Sequence, residues 1–170
     1  ALPAGEQGKA VEILSEGLVH TPFSALLYFG RGRKFIAPGR YELALADLTM
    51  TVRLDPGVYS HWYYRAVVNN LSGRHPEAIA DFRQAMKHTK PFERYGLTDW
   101  IFTTYVEMGD REAARAALAE MPDDIEPPQM HYGYKRRVQL YKGLVKPENL
   151  IDEEDILAHC VKQENRLALE

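Results

Sequence analysis

Cysteine is almost missing from this sequence: Cys160 is the only one in 170 residues. It can neither close an internal disulfide nor complete a multi-cysteine zinc site, and one thiol leaves the cellular compartment open. Basic excess is lacking too. The chain has 21 Lys and Arg against 24 Asp and Glu, a formal charge of −3, far from the footprint that a phosphate backbone demands. Nucleic acid is therefore not an expected partner. No apolar run approaches the roughly 18 residues of a membrane span. The opening Ala1-Leu2-Pro3-Ala4-Gly5 has no basic stretch ahead of an apolar core, so it does not read as a signal peptide, although a mature exported chain would look the same.

Signatures of catalysis are equally sparse. His20, His61, His75, His88, His131 and His159 form no His-Glu-x-x-His and no pair four apart with a third ligand nearby. His159 and Cys160 are adjacent, and on a helix they would point in different directions. There is no nucleophile elbow, phosphate loop or dinucleotide fingerprint; Gly30-Arg31-Gly32 sits inside a helix-like segment, where glycines serve close packing. Glu153-Glu154-Asp155 reads as the charged start of a helix, and Lys135-Arg136-Arg137 as a solvated face. The expectation is a protein with no metal, no cofactor and no enzymatic activity.

What the chain does have is a period. With 45% hydrophobic and 26% charged residues it can bury a core, and its punctuation recurs. Pro22, Pro56 and Pro91 each follow a helix-like run, and proline stops a helix because it lacks the N–H and restricts the residue before it. Gly39, Gly73 and Gly109 recur at a nearly constant interval, each between two helix-like segments, as glycine does at helix C-termini. Side-chain sizes keep the same phase. Ala44 and Leu48, Ala78 and Phe82, and Ala114 and Leu118 are small–large pairs four apart, which share one helix face.

These residues resemble the tetratricopeptide repeat family, built from helix-turn-helix units of about 34 residues. Trp62, Ala66, Gly73, Ala78, Phe82, Ala85 and Pro91 fall at the family's spacings, with Asn69 where an aromatic is usual. Tyr28, Gly32, Phe35, Gly39, Ala44, Leu48 and Pro56 match nearly as well, and a third unit keeps Tyr105, Gly109, Ala114 and Leu118 but has Phe102 in a small-residue place. The resemblance implies an all-α, right-handed solenoid of antiparallel hairpins. Its expected parts are a half unit over 5–22, full units over 25–56, 59–91 and 95–127, and irregular helices continuing the stack over 128–170.

In this family the first helices of successive units line a concave groove that meets the partner. Carried over by position, that wall holds Phe29, Arg33 and Ile36, then Tyr63, Tyr64, Val67 and Asn70, then Asp99, Trp100 and Thr103. Members that capture an acidic chaperone tail carry a clamp of Lys, Arg and Asn here. Only Arg33 and Asn70 could grip a carboxylate or a peptide backbone, so that clamp is missing. The expected function is a scaffold binding a protein or peptide through aromatic rings, Phe29, Tyr63, Tyr64 and Trp100 foremost, with no employment for them in the core. The alternative is an assembly module that binds a second copy of itself through open solenoid ends.

Overall fold

The computed structural model describes residues 4–147; the helices expected over 152–169, with His159 and Cys160, lie outside them. Among the described residues are eight α-helices: α1 (Ala4–His20), α2 (Ala25–Ile36), α3 (Tyr41–Leu54), α4 (Tyr59–Leu71), α5 (His75–Met86), α6 (Arg94–Glu107), α7 (Arg111–Ala119) and α8 (Tyr132–Tyr141). The protein is all-α, and successive helices pack as hairpins. None of the described helices is long and apolar enough to cross a membrane.

Each hairpin closes on the same backbone device. Gly39, Gly73 and Gly109 have φ of 73°, 72° and 78°, the left-handed region that costs glycine nothing. In each case the next residue's N–H reaches back to the helix: Arg40 to the Phe35 carbonyl at 3.0 Å, Arg74 to Asn69 at 2.9 Å, and Asp110 to Tyr105 at 2.9 Å. This six-to-one bond satisfies carbonyls that the helix end leaves open. Gly143 repeats the pattern with φ of 73°, and Leu144 N–H bonds to the Gln139 carbonyl at 2.9 Å. It lies one full period after Gly109, which puts α8 in phase with the first helices α2, α4 and α6.

The in-phase pairs form the core. Ala44, Leu48, Ala78 and Phe82 are fully buried, and Ala114 and Leu118 nearly so. Ala66, Ala78, Ala85, Leu97 and Ile101 surround Phe82 in one cluster, while Phe35, Ala44, Leu45, Leu48 and Val68 form its neighbour. Small residues let α4 and α5 approach, and the ring fills the space beside them. Phe102, out of family register by size, is half-buried and stacks on Tyr141 with centroids 4.3 Å apart and planes at 17°.

Close approach also explains Gly32. A Cβ there would meet Leu48 Cγ at 3.0 Å and Asp47 Cβ at 3.2 Å, both on buried residues with little room to move. Gly32→Ala is expected to cost about 1–3 kcal/mol by overpacking. Gly8, within α1, has nothing within 4 Å of a built Cβ, so Gly8→Ala is expected to add about 0.5–1 kcal/mol through helix propensity. Urea midpoints that moved in the same direction for both would contradict the packing assigned to α2.

Buried charge follows the period as well. Arg31 Nε and Nη2 donate to Asp47 at 2.7 and 2.8 Å, and in the next unit Arg65 Nε and Nη2 donate to Asp81 at 2.8 and 2.6 Å. The third hairpin has Ile101 and Ala117 in these two places, both buried. In α8 the arginine position is taken by Lys135. It is buried and ion-paired to Glu126, so Lys135-Arg136-Arg137 is not the solvated face that its charge suggests.

Candidate functional site

The first helices carry a column of residues at one position, nine before each left-handed glycine: Gly30, Tyr64, Trp100 and Tyr134. One position earlier stand Phe29, Tyr63, Asp99 and Gly133. Where α4 and α6 meet the segment leading into α8, these rings enclose a cavity of about 250 Å³. Tyr59, Tyr63, Tyr64, Trp100 and Tyr134 line it, with Glu93, His131, Ser60 and Gly96 completing the wall. Gly96 leaves room: a Cβ there would touch the Tyr134 ring at 3.6 Å.

The rings hold one another. Tyr59 stacks on Tyr63 with centroids 5.6 Å apart, and Tyr63 meets Tyr64 edge-on at 5.4 Å. Trp100 stacks on buried Phe82 at 5.6 Å with planes at 20°, so one indole face belongs to the core while the residue also lines the cavity. Phe29 meets Tyr64 edge-on at 5.4 Å and tilts against His61 at 5.0 Å. Such offset and edge contacts suit the ring quadrupoles. The rings therefore do have structural employment, contrary to what the helical pattern suggests: they brace successive first helices against each other.

The polar members of the wall are engaged in different ways. The Arg33 guanidinium lies 4.5 Å from the Tyr64 centroid and 5.4 Å from that of Phe29, and the residue is exposed. Asn70 Oδ1 accepts from the Thr104 hydroxyl at 2.9 Å and lies 3.1 Å from His75 Nδ1, tying α4 to α6 and α5. Asp99 is buried and accepts both an Arg137 Nε bond at 3.1 Å and a charge-assisted bond from Arg137 Nη2. It is thus held as an anchor between α6 and α8. Arg137 in turn lies 4.9 Å from the Tyr134 centroid.

Burial pushes the Tyr59 phenol well above its usual range, with the Tyr63 and Glu93 fields adding to it. The Tyr63 phenol is also raised by burial, against a hydrogen bond with Trp100 that lowers it. The Glu93 carboxyl is held below the ordinary range, first by the Thr89 hydroxyl and also by the Lys90 N–H at 2.8 Å. Both phenols are neutral and Glu93 is ionised near neutral pH. Among the described residues no cluster of His, Cys, Asp or Glu could hold a metal.

Tyr134, Tyr59, Glu93 and His131 were not among the residues expected from sequence. Tyr134 was within reach, because it follows Trp100 by the same interval that separates Gly143 from Gly109. Glu93 and His131 belong to the short 3-10 turns Pro91–Glu93 and Gln129–His131, whose positions no helical period predicts.

Residues 29–91 match the tetratricopeptide repeat family, and the sequential hairpins of that stretch are consistent with such repeats. Such repeats generally serve protein–protein interaction. Solved structures agree on the fold. A crystal structure of MamA is 17% identical, covers 98% of this chain and 93% of its own, and superposes with a TM-score of 0.63. MamA from Desulfovibrio magneticus RS-1, from residue 41 to its end, is 18% identical over 69% of this chain and 65% of its own, with a TM-score of 0.61. The APC/C hetero-tetramer Cut9-Hcn1 is 16% identical over 82% of this chain but 26% of its own, with a TM-score of 0.60. At these identities the likeness speaks for fold alone. No curated protein matches the chain by sequence.

Proposed function

We propose that this protein is a non-enzymatic scaffold that binds a protein or peptide along the first-helix face, centred on the cavity among α4, α6 and α8. The observation that carries the reading is the column of Tyr64, Trp100 and Tyr134 opening on a ring-lined cavity of about 250 Å³. That volume suits one side chain of a partner rather than a free metabolite enclosed on all sides. Half-buried tyrosine and tryptophan combine large contact area with few rotatable bonds, the profile of binding hot spots.

The wall rings also brace the stack, so the test uses apolar replacements rather than truncation to alanine. Tyr64→Leu and Tyr134→Leu are expected to weaken a partner identified by affinity capture by about 2 kcal/mol or more each, while circular dichroism and melting cooperativity stay close to wild type. Arg83→Ala is the control on the opposite face, where Arg83 pairs with Glu120 at 2.9 Å in solvent and little energy is at stake. Arg137 is unsuitable as a neutral control because it pairs with buried Asp99. Full-strength binding by both leucine variants would remove the groove assignment.

A second reading, self-association, rests on Phe23 and Leu26, which are 80% and 75% exposed beside α1 and α2. Light scattering over a concentration series separates the two. Under the self-association reading, mass rises with concentration and Phe23→Ser with Leu26→Ser abolishes the rise.

A further inference from the structure

Resting on the groove reading above, we infer that the cavity is a cation cage: it takes a positively charged side chain, an arginine, lysine or alkylated lysine, from a partner segment. Its walls are π faces and edges of four tyrosines and Trp100, and the one acid among its lining residues is Glu93, with no Lys or Arg. A cation placed over several aromatic faces is attracted by their quadrupoles, more strongly as water is excluded. Glu93 adds a full negative charge, and its ionised form is the favoured one because Thr89 and the Lys90 N–H bond to it. The Tyr59 and Tyr63 phenols, pushed up by burial, stay neutral and cannot supply that charge themselves.

The chain's own arginines show that rings of this column accept cations. Arg33 lies 4.5 Å from the Tyr64 centroid and Arg137 lies 4.9 Å from that of Tyr134, though neither arginine lines the cavity. Trp100 stands between these two tyrosines in the repeat. One face of its indole is taken by Phe82, and indole is the strongest of the aromatic cation hosts. A neutral apolar side chain would gain area here, but it would leave ionised Glu93 facing hydrocarbon, which is unfavourable. Charge complementarity therefore selects the basic side chain.

The test is titration of the folded protein with tetramethylammonium chloride, against sodium chloride at equal ionic strength and tert-butanol as a neutral shape mimic. The readout is the pair of tryptophan indole N–H signals in a proton–nitrogen correlation spectrum. Trp62 is the internal reference, since its Nε1 donates to the Pro56 carbonyl at 2.7 Å away from the cavity. The expected result is a saturable shift of the Trp100 signal by tetramethylammonium only, with Trp62 unmoved. Glu93→Gln keeps an acceptor for Thr89 and Lys90 but loses the charge, and is expected to weaken the titration about 5-fold. An equal shift by tert-butanol, no shift of Trp100, or an unchanged midpoint in Glu93→Gln would each overturn the cage. None of these touches the groove reading, which fails instead if the leucine variants of Tyr64 and Tyr134 still bind the captured partner.

Discussion

Phe82→Ala is expected to lower the stability of the whole chain by about 3–5 kcal/mol, the cost of a large cavity in a packed core. The ring is fully buried among Ala66, Ala78, Ala85, Leu97 and Ile101, small or branched residues that cannot swing in to fill the space. It also supports the candidate site from behind, stacked on Trp100 at 5.6 Å and tilted against Tyr63 at 6.2 Å. The variant is therefore expected to lose the Trp100 response to tetramethylammonium along with stability, whereas Phe82→Leu should keep part of both. Ala78→Leu, at the same helix contact, should cost about 1–3 kcal/mol by overpacking. Urea unfolding measures these losses directly. Wild-type midpoints in both Phe82→Ala and Ala78→Leu would show that the α4–α5 contact is placed wrongly.

Architecture was legible in the sequence because repeat proteins write the same packing problem several times. Gly39, Gly73 and Gly109 each solve one turn, and each small–large pair solves one helix contact, so agreement between copies replaces the certainty that a single copy lacks. The site was legible only in outline. A helical wheel divides each helix into a buried and a free face, but a first helix in a stack has neighbours before and after it. The wheel thus leaves Phe29, Tyr64 and Trp100 free, whereas in the stack they pack on other rings. It places Asp99 on the open wall, because nothing local reveals that its partner, Arg137, comes from a separate helix, α8. Lys135 looks solvated for a similar reason: a charged run gives no hint of Glu126 turning back over it.

The same limit hid the paired charges across the α2–α3 and α4–α5 hairpins, and they support the second large prediction. Asp81→Ala is expected to cost about 2–4 kcal/mol, somewhat below the full value for breaking a buried pair, because Arg65 keeps 20% of its side-chain surface in water while Asp81 keeps 6%. The loss leaves two groups without their acceptor: the Arg65 guanidinium, bonded at 2.8 and 2.6 Å, and the buried Asn69 amide, which donates to Asp81 Oδ2 at 3.1 Å. The chain itself supplies the remedy, since in the next unit the positions of Arg65, Asn69 and Asp81 hold Ile101, Tyr105 and Ala117, and Ile101 and Ala117 are packed and buried. Transplanting that solution as Arg65→Ile, Asn69→Tyr and Asp81→Ala together is expected to recover most of the stability lost in Asp81→Ala, because an apolar set of fitting volume replaces a desolvated ion pair at little net cost. Additive losses across the three substitutions would show that the ion pair is itself strongly stabilising. Recovery would mean that the repeat holds two interchangeable ways of closing the same hairpin, one by charge and one by volume.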